Sequence, residues 1–573
     1  MWVLGISKGH NGAVALSCDG KVISAVQAER LSRVKRQSVT ITDDIAVVSD
    51  CVKYCMEQAG ITHREIQSVA ISTSWDVKHI ENNKVFEYLG GTPNDYKGTY
   101  YVPHHFAHME YILHYSSLFK GIVLVVDGSG SKETDRRHFS IPEEISGKCI
   151  SHVHPMGKET ISAYWFDGNR AVLIYRLSPP IAGFEKCNQN SNSLLQSIGH
   201  YWRWASNYCC GSHSEAGKVM GLAALGNPKV HAHLNILSMS AEGLITIDYS
   251  RLQDEFQNPN VFGKDLSDNG HYADIAAMVQ SDTENILISI LTLLKQKFPT
   301  DTLYYSGGVA LNVVANEKIV RSQLFNQVIL NGSVEDNGTA IGAALATSNV
   351  LLNKRIAEPV TDYYGRTYVT NEILTVLERF PFAYEFLQND RLYDSVASLI
   401  YDGKVIGWFQ GRSEFGPRAL GNRSILAHPG YPNMKGVLDL QMKCRDRYRP
   451  YAPVVLEEHA GQYFDIDGES PVMMREGKVL TNEFPAITHV DGSARVQTVT
   501  EMDNERLYKL IKSFNKLSGF PILLNTSFNL PGEPIVETPS DALNSFSRGA
   551  LEYLCIGNYL VSRKEKTNKQ GIT

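Results

Sequence analysis

Residues 121–130 read Gly-Ile-Val-Leu-Val-Val-Asp-Gly-Ser-Gly, a wholly apolar run that ends in an aspartate and a turn of small residues. Such a run is typical of a strand buried on both faces, with glycine marking the turn that follows. The chain opens on the same scheme, because strands are predicted over residues 3–7, 13–17 and 21–27 around an Asp19-Gly20 hairpin turn. The recurrence predicts an internal duplication.

Composition limits the classes of function. The 573 residues are 43% hydrophobic and 20% charged, with a net charge of −6 and nine cysteines that form no C-x-x-C motif. No apolar run approaches the roughly 20 residues of a membrane span, and the start of the chain shows no basic, apolar leader. We therefore expect a cytoplasmic enzyme with small-molecule partners, no membrane and no nucleic-acid footprint. The oligomeric state is left open, a homodimer being one option.

Glycine turns and alanine-rich helices organise the first half of the chain. A strand over residues 302–305 ends in Ser306-Gly307-Gly308, and a small-residue helix is predicted over 338–347. Two hairpin-led halves with facing glycine turns suit the actin/hexokinase type of nucleotide cleft, so an α/β duplicated domain is predicted over residues 1–352. The motifs lapse over 353–389, which is interpreted as a linker region. A second α/β domain is predicted over 390–573.

Two histidines and two aspartates in the first domain suggest a metal site. His104 and His108 are four residues apart after a proline, so they should share one helix face. Asp127 ends the buried strand, and Asp336 precedes a helix. This donor set permits iron(II), zinc or manganese. The alternatives are a magnesium–phosphate aspartate for Asp127 and a helix cap for Asp336.

Other residues of the first domain are candidates for nucleotide binding and proton transfer. The loop that follows the 302–305 strand is the predicted adenine or phosphate loop, because glycines let a ligand approach the backbone. Lys218 is available to a phosphate, and His10 could act as a general base near neutral pH. The aromatic segment 197–210 could line an acceptor pocket or pack in the core. The loop residues assigned to the nucleotide are Ser306, Gly307, Gly308 and Asn312.

Arginines cluster with glycines in the second domain. Residues 411–424 place Arg412, Arg418 and Arg423 among three glycines and a proline. Guanidinium groups match phosphate or carboxylate oxygens two at a time, so this stretch predicts an oxyanion site. A basic run over 443–449 and a polar run over 525–529 should converge on it. The residues assigned to this site are Arg418, Lys443, Arg445, Arg449, Arg495, Asn525, Ser527 and Asn529.

Taken in order, these motifs resemble the O-carbamoyltransferases of antibiotic, toxin and nodulation-factor biosynthesis over nearly the whole chain. The first domain is similar to tRNA threonylcarbamoyl transferase, and the second to threonylcarbamoyl-adenylate synthase. Asp446 stands where many members of the family have glutamate. The motifs that carry the resemblance are His10, Glu29-Arg30-x-Ser32-Arg33-x-Lys35, His104-x-x-x-His108, Asp127-Gly, Ser306-Gly-Gly-Val-Ala-Leu-Asn312, Asp336-Asn-Gly, Glu414-Phe-Gly-Pro-Arg-Ala-Leu-Gly421, Lys443-x-Arg445 and Asn525-Thr-Ser-Phe-Asn529.

The resemblance implies a two-step reaction. Carbamoyl phosphate and ATP, with magnesium, would give carbamoyl adenylate in the second domain, and the first domain would pass the carbamoyl group to a hydroxyl and release AMP. It also implies that the metal is iron and that Lys35 joins His10 in catalysis. The acceptor is left open among natural products, sugars and modified nucleosides, a hydroxymethylated base included.

Three other functions stay open at this point. A kinase of the actin/hexokinase class would use Asp127 as base or magnesium anchor. A nucleotide-driven, chaperone-like binding protein would use the second domain to hold clients. A tRNA threonylcarbamoyl transferase is the nearest alternative, which the low basicity of the chain disfavours.

Overall fold

The structure is a computed structural model, and it describes residues 1–9, 11–39, 45–74, 98–115, 119–132, 149–154, 157–180, 196–256, 270–358, 361–388, 390–443 and 448–565. The chain divides into two compact units. Unit 1 comprises Met1–Ala28, Gln37–Val360 and Asp446–Arg449. Unit 2 comprises Glu29–Arg36, Thr361–Arg445 and Pro450–Thr573. Each unit therefore includes a short segment from the other half of the sequence.

Unit 1 contains two mixed sheets and a small hairpin. Its described strands are β1 Trp2–Lys8, β2 Ala13–Cys18, β3 Lys21–Gln27, β4 Ile66–Thr73, β5 Gly98–Pro103, β6 Gly121–Val126, β7 Ile150–Val153, β8 Ile161–Phe166, β9 Ala171–Ser178, β10 Leu237–Met239, β11 Ile245–Ile247, β12 Thr302–Ser306 and β13 Gln327–Leu330.

The two large sheets of unit 1 repeat one topology. The first has the order β3-β2-β1-β4-β5, and the second has the order β13-β12-β6-β8-β9-β7. In each sheet a three-stranded antiparallel meander (β1–β3, or β6, β8 and β9) is followed by two parallel strands (β4 and β5, or β12 and β13). The predicted duplication of the actin/hexokinase type and the α/β class are confirmed by this strand order.

Helices cover these sheets. A short helix, α1 Ala28–Ser32, begins at the last residue of the first segment of unit 1 and continues into the segment 29–36 of unit 2. The other described helices of unit 1 are α2 Ile45–Ala59, α3 His104–His114, α4 Ile198–Cys210, α5 Ala216–Ala223, α6 Tyr249–Glu255, α7 Gly270–Lys297, α8 Val313–Arg321 and α9 Gly338–Leu352.

Small residues let helix α9 pack tightly against its neighbours. A Cβ atom added to Gly342 would lie 1.8 Å from the carbonyl oxygen of Ala107 in α3. One added to Gly5 in β1 would lie 2.1 Å from the carbonyl oxygen of Ala340 in α9. Neither position has room for a side chain, so glycine sets the distance of α9 from both elements.

Unit 2 is built on a mixed sheet with the strand order β14-β23-β22-β15-β16-β21-β17-β20-β19-β18 among the described residues. Two apolar clusters fill this unit. The strands are β14 Phe382–Phe386, β15 Ile406–Phe409, β16 Arg423–Ala427, β17 Ala452–Leu456, β18 Phe464–Asp465, β19 Arg475–Val479, β20 Ser493–Val499, β21 Ile522–Ser527, β22 Tyr553–Ile556 and β23 Tyr559–Glu565. The helices are α10 Thr370–Leu377, α11 Asp390–Tyr401, α12 Met434–Leu438, α13 Ala460–Tyr463, α14 Glu505–Ser518 and α15 Pro539–Arg548.

The stretch predicted as a linker, residues 353–389, contains regular structure. Helix α10 and strand β14 fall inside it, and β14 pairs antiparallel with β23 at one edge of the sheet. Ile373, Leu377 and Phe382 are buried in a core cluster of unit 2. From Thr361 onward this stretch therefore belongs to unit 2, because its apolar side chains pack there. None of the described helices is both long and apolar enough to cross a membrane.

Candidate functional site

Four side chains from three places in the sequence converge in unit 1. His104 and His108 lie on the first turns of α3, Asp127 directly follows β6, and Asp336 lies two residues before α9. The Nε2 atoms of the two histidines are 3.3 Å apart, and His104 Nε2 is 3.0 Å from Asp127 Oδ2 and 3.5 Å from Asp336 Oδ1. One ligand atom from each residue lies within 4.8 Å of the others. The structure thus brings the four predicted metal ligands together.

Burial and charge make this cluster suited to a cation. All four side chains are buried. Burial by itself lowers the pKa of His104, but the Asp336 and Asp127 carboxylates outweigh it and raise that pKa to about 10. Burial and the charge of His104 lower the pKa of His108 to about 4. A single positive charge is therefore held between the two carboxylates, and a divalent ion would replace it favourably.

Neighbouring polar groups fix the ligands in place. The Gly308 amide donates to Asp127 Oδ1 at 3.1 Å. The hydroxyls of Ser7 and Thr339 both donate to the carbonyl oxygen of Asp336, each at 2.6 Å. These bonds tie β1, the glycine loop after β12 and the start of α9 to the same centre. Two nitrogen and two oxygen donors fit iron(II), zinc or manganese.

The predicted nucleotide loop of unit 1 is well defined. Ser306 is buried, and Gly307 has a φ of +96°, which residues other than glycine rarely adopt. Asn312 caps helix α8 by accepting from Ala315 N, and it exchanges side-chain hydrogen bonds with Gln280. The loop therefore contacts the histidine–aspartate cluster through Gly308, whereas the Asn312 side chain caps a helix and binds Gln280. Lys218 Nζ lies 3.6 Å from the Glu215 carboxylate on one face of α5.

The aromatic segment of α4 is packed core. Tyr201 and Tyr208 both stack on Trp204, with ring centroids 6.1 and 5.5 Å away, and all three are buried. At the start of this helix the Ser197 hydroxyl donates to the carbonyl oxygens of Asp127 and Gly128, at 3.0 and 2.8 Å. Of the two interpretations offered for this segment, packing describes these side chains.

A second polar cluster lies in unit 2. Lys443 Nζ donates to Asn529 Oδ1 at 2.9 Å, to the Asn529 carbonyl at 3.1 Å and to Ser527 Oγ at 3.2 Å. Ser527 Oγ donates to Asn529 Oδ1 at 2.6 Å. Lys443 is 8% exposed and is the last residue of a π-helical segment, Asp439–Lys443, a conformation that recurs at functional sites. The structure therefore joins the predicted Lys443, Ser527 and Asn529.

The glycine-rich arginine stretch differs from the oxyanion site that its composition suggests. The buried Arg423 donates to the carbonyl oxygens of Gln410 and Asn422, at 2.6 and 3.2 Å. Arg412 donates to the carbonyl oxygens of two residues outside the stretch, at 2.9 and 3.0 Å. A carboxylate, Glu414, accepts from three backbone amides of the loop. Arg412 thus binds backbone carbonyls of residues 364 and 365, and Arg423 binds those of its own loop, whereas Arg418 lies half-buried in the same loop.

The remaining predicted residues are dispersed. Asn525 is buried and donates to the Ala419 carbonyl and to Gln497. Arg495 lies on β20 opposite Glu476 of β19. Arg449 belongs to the segment assigned to unit 1, and Lys35 is exposed in the segment assigned to unit 2. His10 and Arg445 lie outside the described residues.

Sequence reasoning missed the role of the segment 29–36. Within unit 2, Arg30 donates to the Gly416 carbonyl at 2.7 Å, and Arg33 donates to the carbonyls of Pro534 and Ile535 at 2.9 and 2.7 Å. The run of charged residues was visible as a motif. Nothing in the order of residues indicates that its partners lie 386 to 502 positions away.

Comparison with known proteins yields matches over most of the chain. A family sequence model described as Carbamoyltransferase N-terminus matches residues 2–345, and one described as Carbamoyltransferase C-terminus matches residues 397–563. Nodulation protein NolNO of Sinorhizobium fredii is 30% identical, covering 97% of this chain and 79% of that protein. The 3'-hydroxymethylcephem-O-carbamoyltransferase of Amycolatopsis lactamdurans is 31% identical, covering 61% of this chain and 66% of that enzyme.

A Synechocystis sp. protein is 30% identical over 99% of this chain and 98% of its own length. Among solved structures, full-length HypF in its phosphate- and nucleotide-bound form covers 61% of this chain and 55% of that chain, at 13% identity and a TM-score of 0.39. At so low a TM-score, the fold assignment rests on the strand order described above.

Proposed function

The chain belongs to the carbamoyltransferase family and is an enzyme that transfers carbamoyl groups, and from this we propose an ATP-dependent O-carbamoyltransferase that works through carbamoyl adenylate. Carbamoyl phosphate would lose phosphate to water and leave carbamate. The carbamate oxygen would then attack the α-phosphorus of ATP, with release of pyrophosphate. The acceptor hydroxyl would finally attack the carbamoyl carbon, with release of AMP.

The observation that carries this proposal is the buried cluster of His104, His108, Asp127 and Asp336. An ion bound there would supply Lewis-acid stabilisation of the charge that develops on the departing AMP. The protein's own part is orientation. Gly308 holds the Asp127 carboxylate through its amide. The loop that carries Gly308 is open to a ligand's backbone contact because its glycines bear no side chain.

Activation is assigned to unit 2 by the same proposal. The Lys443 ammonium and the Ser527 hydroxyl form one compact donor group with Asn529. Phosphate oxygens are stronger acceptors than the amide and carbonyl oxygens that Lys443 now binds, so carbamoyl phosphate or ATP would take their place. This replacement of the acceptors of Lys443 supports binding of the charged substrates at the C-terminal end of β21.

Two half-reaction assays test the proposal. Purified protein with ATP, carbamoyl phosphate and labelled pyrophosphate is expected to show exchange into ATP that depends on carbamoyl phosphate. Lys443→Ala and Ser527→Ala should abolish this exchange and still transfer carbamoyl from synthetic carbamoyl adenylate. His108→Ala and Asp336→Ala should keep the exchange, lose transfer and lose metal in elemental analysis. Exchange that survives both unit 2 substitutions would contradict the assignment of the activating site.

The acceptor is proposed to be a hydroxyl group on a small molecule, such as a natural product, a sugar or a modified nucleoside. One relative's name specifies a hydroxymethyl acceptor, and this supports the oxygen as the site of transfer. A panel of hydroxyl compounds with isotopically labelled carbamoyl phosphate, analysed by mass spectrometry for the gain of one carbamoyl group, would identify it. The His108→Ala protein is the control that should show no gain.

A further inference from the structure

Arg30 carries a guanidinium group that is deeply buried and only partly satisfied. The side chain is 2% exposed. Its Nη2 atom donates to the carbonyl oxygen of Gly416 at 2.7 Å, whereas Nε and Nη1 have no hydrogen-bond partner in the described part of the chain. The Glu29 carboxylate lies 3.8 Å from Nε, which is beyond hydrogen-bond reach. Three N–H donors of a buried cation, one on Nε and two on Nη1, are therefore unused.

Arg33, three residues further on, shows a satisfied arginine in the same segment. It donates to two carbonyl oxygens of unit 2 and lies 3.7 Å from the Asp541 carboxylate. Arg30, by contrast, has one carbonyl partner, that of Gly416, and a Glu29 carboxylate that is too distant for a hydrogen bond. A charge removed from water is costly unless hydrogen bonds compensate it. An anion with several acceptor oxygens, above all a phosphate group, is the ligand that would use the idle donors of Arg30.

The stretches of chain that the 29–36 segment contacts are joined by hydrogen bonds to the elements that carry Ser527 and Asn529, the partners of Lys443. Gly416 belongs to the loop that leads into β16, and Ser424 of β16 pairs with Ser527 of β21. On the other side, Asn529 Nδ2 donates to the Glu533 carbonyl at 2.7 Å. The next two carbonyls along the chain are the ones that Arg33 binds. The segment is thus hydrogen-bonded to the loop before β16, the strand that pairs with β21, and to the stretch of chain that follows Asn529.

We propose that Arg30 is a phosphate-binding residue of the activating site in unit 2, supplied by the segment 29–36 of the N-terminal half. This inference rests on the proposed function, because it adds a residue to the site that takes carbamoyl phosphate and ATP. The phosphate group of either substrate presents the oxygens that Nε and Nη1 require. Nε and Nη1 are both buried, so the turn at Gly416 must move before a phosphate can reach them. Gly416 has a φ of +105°, a conformation that glycine adopts more readily than other residues.

The test compares Arg30→Lys with Arg36→Lys in the full-length protein. Lysine keeps the charge and one donor for Gly416 but loses the other N–H groups. Arg36 is an exposed residue of the same segment, so its lysine variant controls for changes to the segment. The Michaelis constants for carbamoyl phosphate and ATP are measured separately in pyrophosphate exchange. Transfer from synthetic carbamoyl adenylate and thermal unfolding are measured alongside.

We expect Arg30→Lys to raise one of the two Michaelis constants about tenfold or more, with transfer from carbamoyl adenylate unchanged and Arg36→Lys close to wild type. The constant that rises identifies which substrate's phosphate is bound. Unchanged constants with a lowered unfolding temperature would overturn the proposal, because they assign Arg30 to packing alone. Should the wild-type protein show no exchange, the proposed function fails, and calorimetric titration of inorganic pyrophosphate decides about Arg30. Equal affinity in wild type and Arg30→Lys, or binding to neither, would overturn the inference, whereas about tenfold weaker binding to the variant would support it.

Discussion

At the scale of single residues, Arg423 is a fully buried cation whose hydrogen bonds go to backbone carbonyl oxygens. Its guanidinium lies 3.7 Å from the centre of the Phe409 ring and donates to backbone carbonyl oxygens of the glycine-rich loop. Lysine lacks both the planar stacking surface and the number of donors. We expect Arg423→Lys to lower the free energy of unfolding of unit 2 by about 2–4 kcal/mol, since several carbonyls lose their donor.

Denaturant unfolding followed by tryptophan fluorescence would measure this loss. The matched control is Arg391→Lys, because Arg391 is 73% exposed and pairs with Glu385 at the surface. The control should change stability by less than about 0.5 kcal/mol. Equal effects of the two substitutions would show that the carbonyl contacts of Arg423 contribute little.

Asp282 gives unit 1 a pH dependence of known sign. Burial raises the pKa of Asp282 to about 6 in spite of the hydrogen bond from the Tyr201 hydroxyl. The folded state thus binds the proton more tightly than the unfolded state, whose pKa is near 3.8. Stability present at low pH is lost as the pH rises through about 4 to 6.

Asp282→Asn removes this ionisation. Its stability relative to wild type should therefore increase by about 1 kcal/mol between pH 5 and pH 7.5. Thermal unfolding of both proteins across this pH range measures the difference. A difference that does not vary with pH would contradict the raised pKa.

The residue scale also shows what sequence patterns can and cannot reveal. His104, His108 and Asp127 were predictable as neighbours, because helix periodicity and the end of a buried strand fix where their side chains point. Arg423 was not, because a guanidinium binds phosphate oxygens and carbonyl oxygens with the same geometry. Only the fold decides which acceptor is near. The roles assigned to the individual site residues stay predictions.

At the scale of elements, the close contact between α9 and α3 links helix packing to the proposed metal site. Gly342→Ala would place a methyl group 1.8 Å from the Ala107 carbonyl oxygen, between His104 and His108 in α3. We expect destabilisation of at least about 2 kcal/mol and reduced bound metal, because α3 must move away. Gly217→Ala is the matched control, since nothing lies within 4 Å of its added Cβ and helix α5 gains propensity there.

Elemental analysis and thermal unfolding of the two alanine variants check this expectation. Gly217→Ala should retain metal and be as stable as wild type or slightly more stable. Full metal content in Gly342→Ala would show that the helices have room to adjust.

Several elements of unit 1, strands β1–β3, β6 and β12 among them, were predictable, since hairpin turns and continuous apolar runs are local signals. The Asp19-Gly20 turn has the two positive φ angles that its sequence indicates. Strand β14 was missed because its place in the sheet depends on pairing with β23, near the other end of unit 2. Pairing between distant segments leaves no periodic trace in either one.

At the scale of the whole molecule, the units defined by contacts are interleaved in sequence. Arg33 lies early in the chain, yet its side-chain partners lie at residues 534, 535 and 541. We therefore expect Arg33→Ala to weaken unit 2. Hydrogen exchange measured by mass spectrometry should accelerate about tenfold or more in peptides around residues 530–541, with little change in β1 and β2.

The exposed residue Arg64, in unit 1, provides the control substitution Arg64→Ala, which should leave both regions as in wild type. Faster exchange confined to β1 and β2 in Arg33→Ala would show that the segment 29–36 supports unit 1 instead.

The segment 29–36 also imposes a schedule on biosynthesis. Arg33 and its partner Ile535 are 502 positions apart, so at a translation rate of roughly 5–20 residues per second the ribosome needs about 25–100 s to supply the partner. During this interval Arg33 lacks its carbonyl partners, and unit 2 cannot be completed before residue 535 has been synthesised. A polypeptide that stalls before residue 535 would thus leave Arg33 without these carbonyl partners, so that only chains translated past that point can complete unit 2.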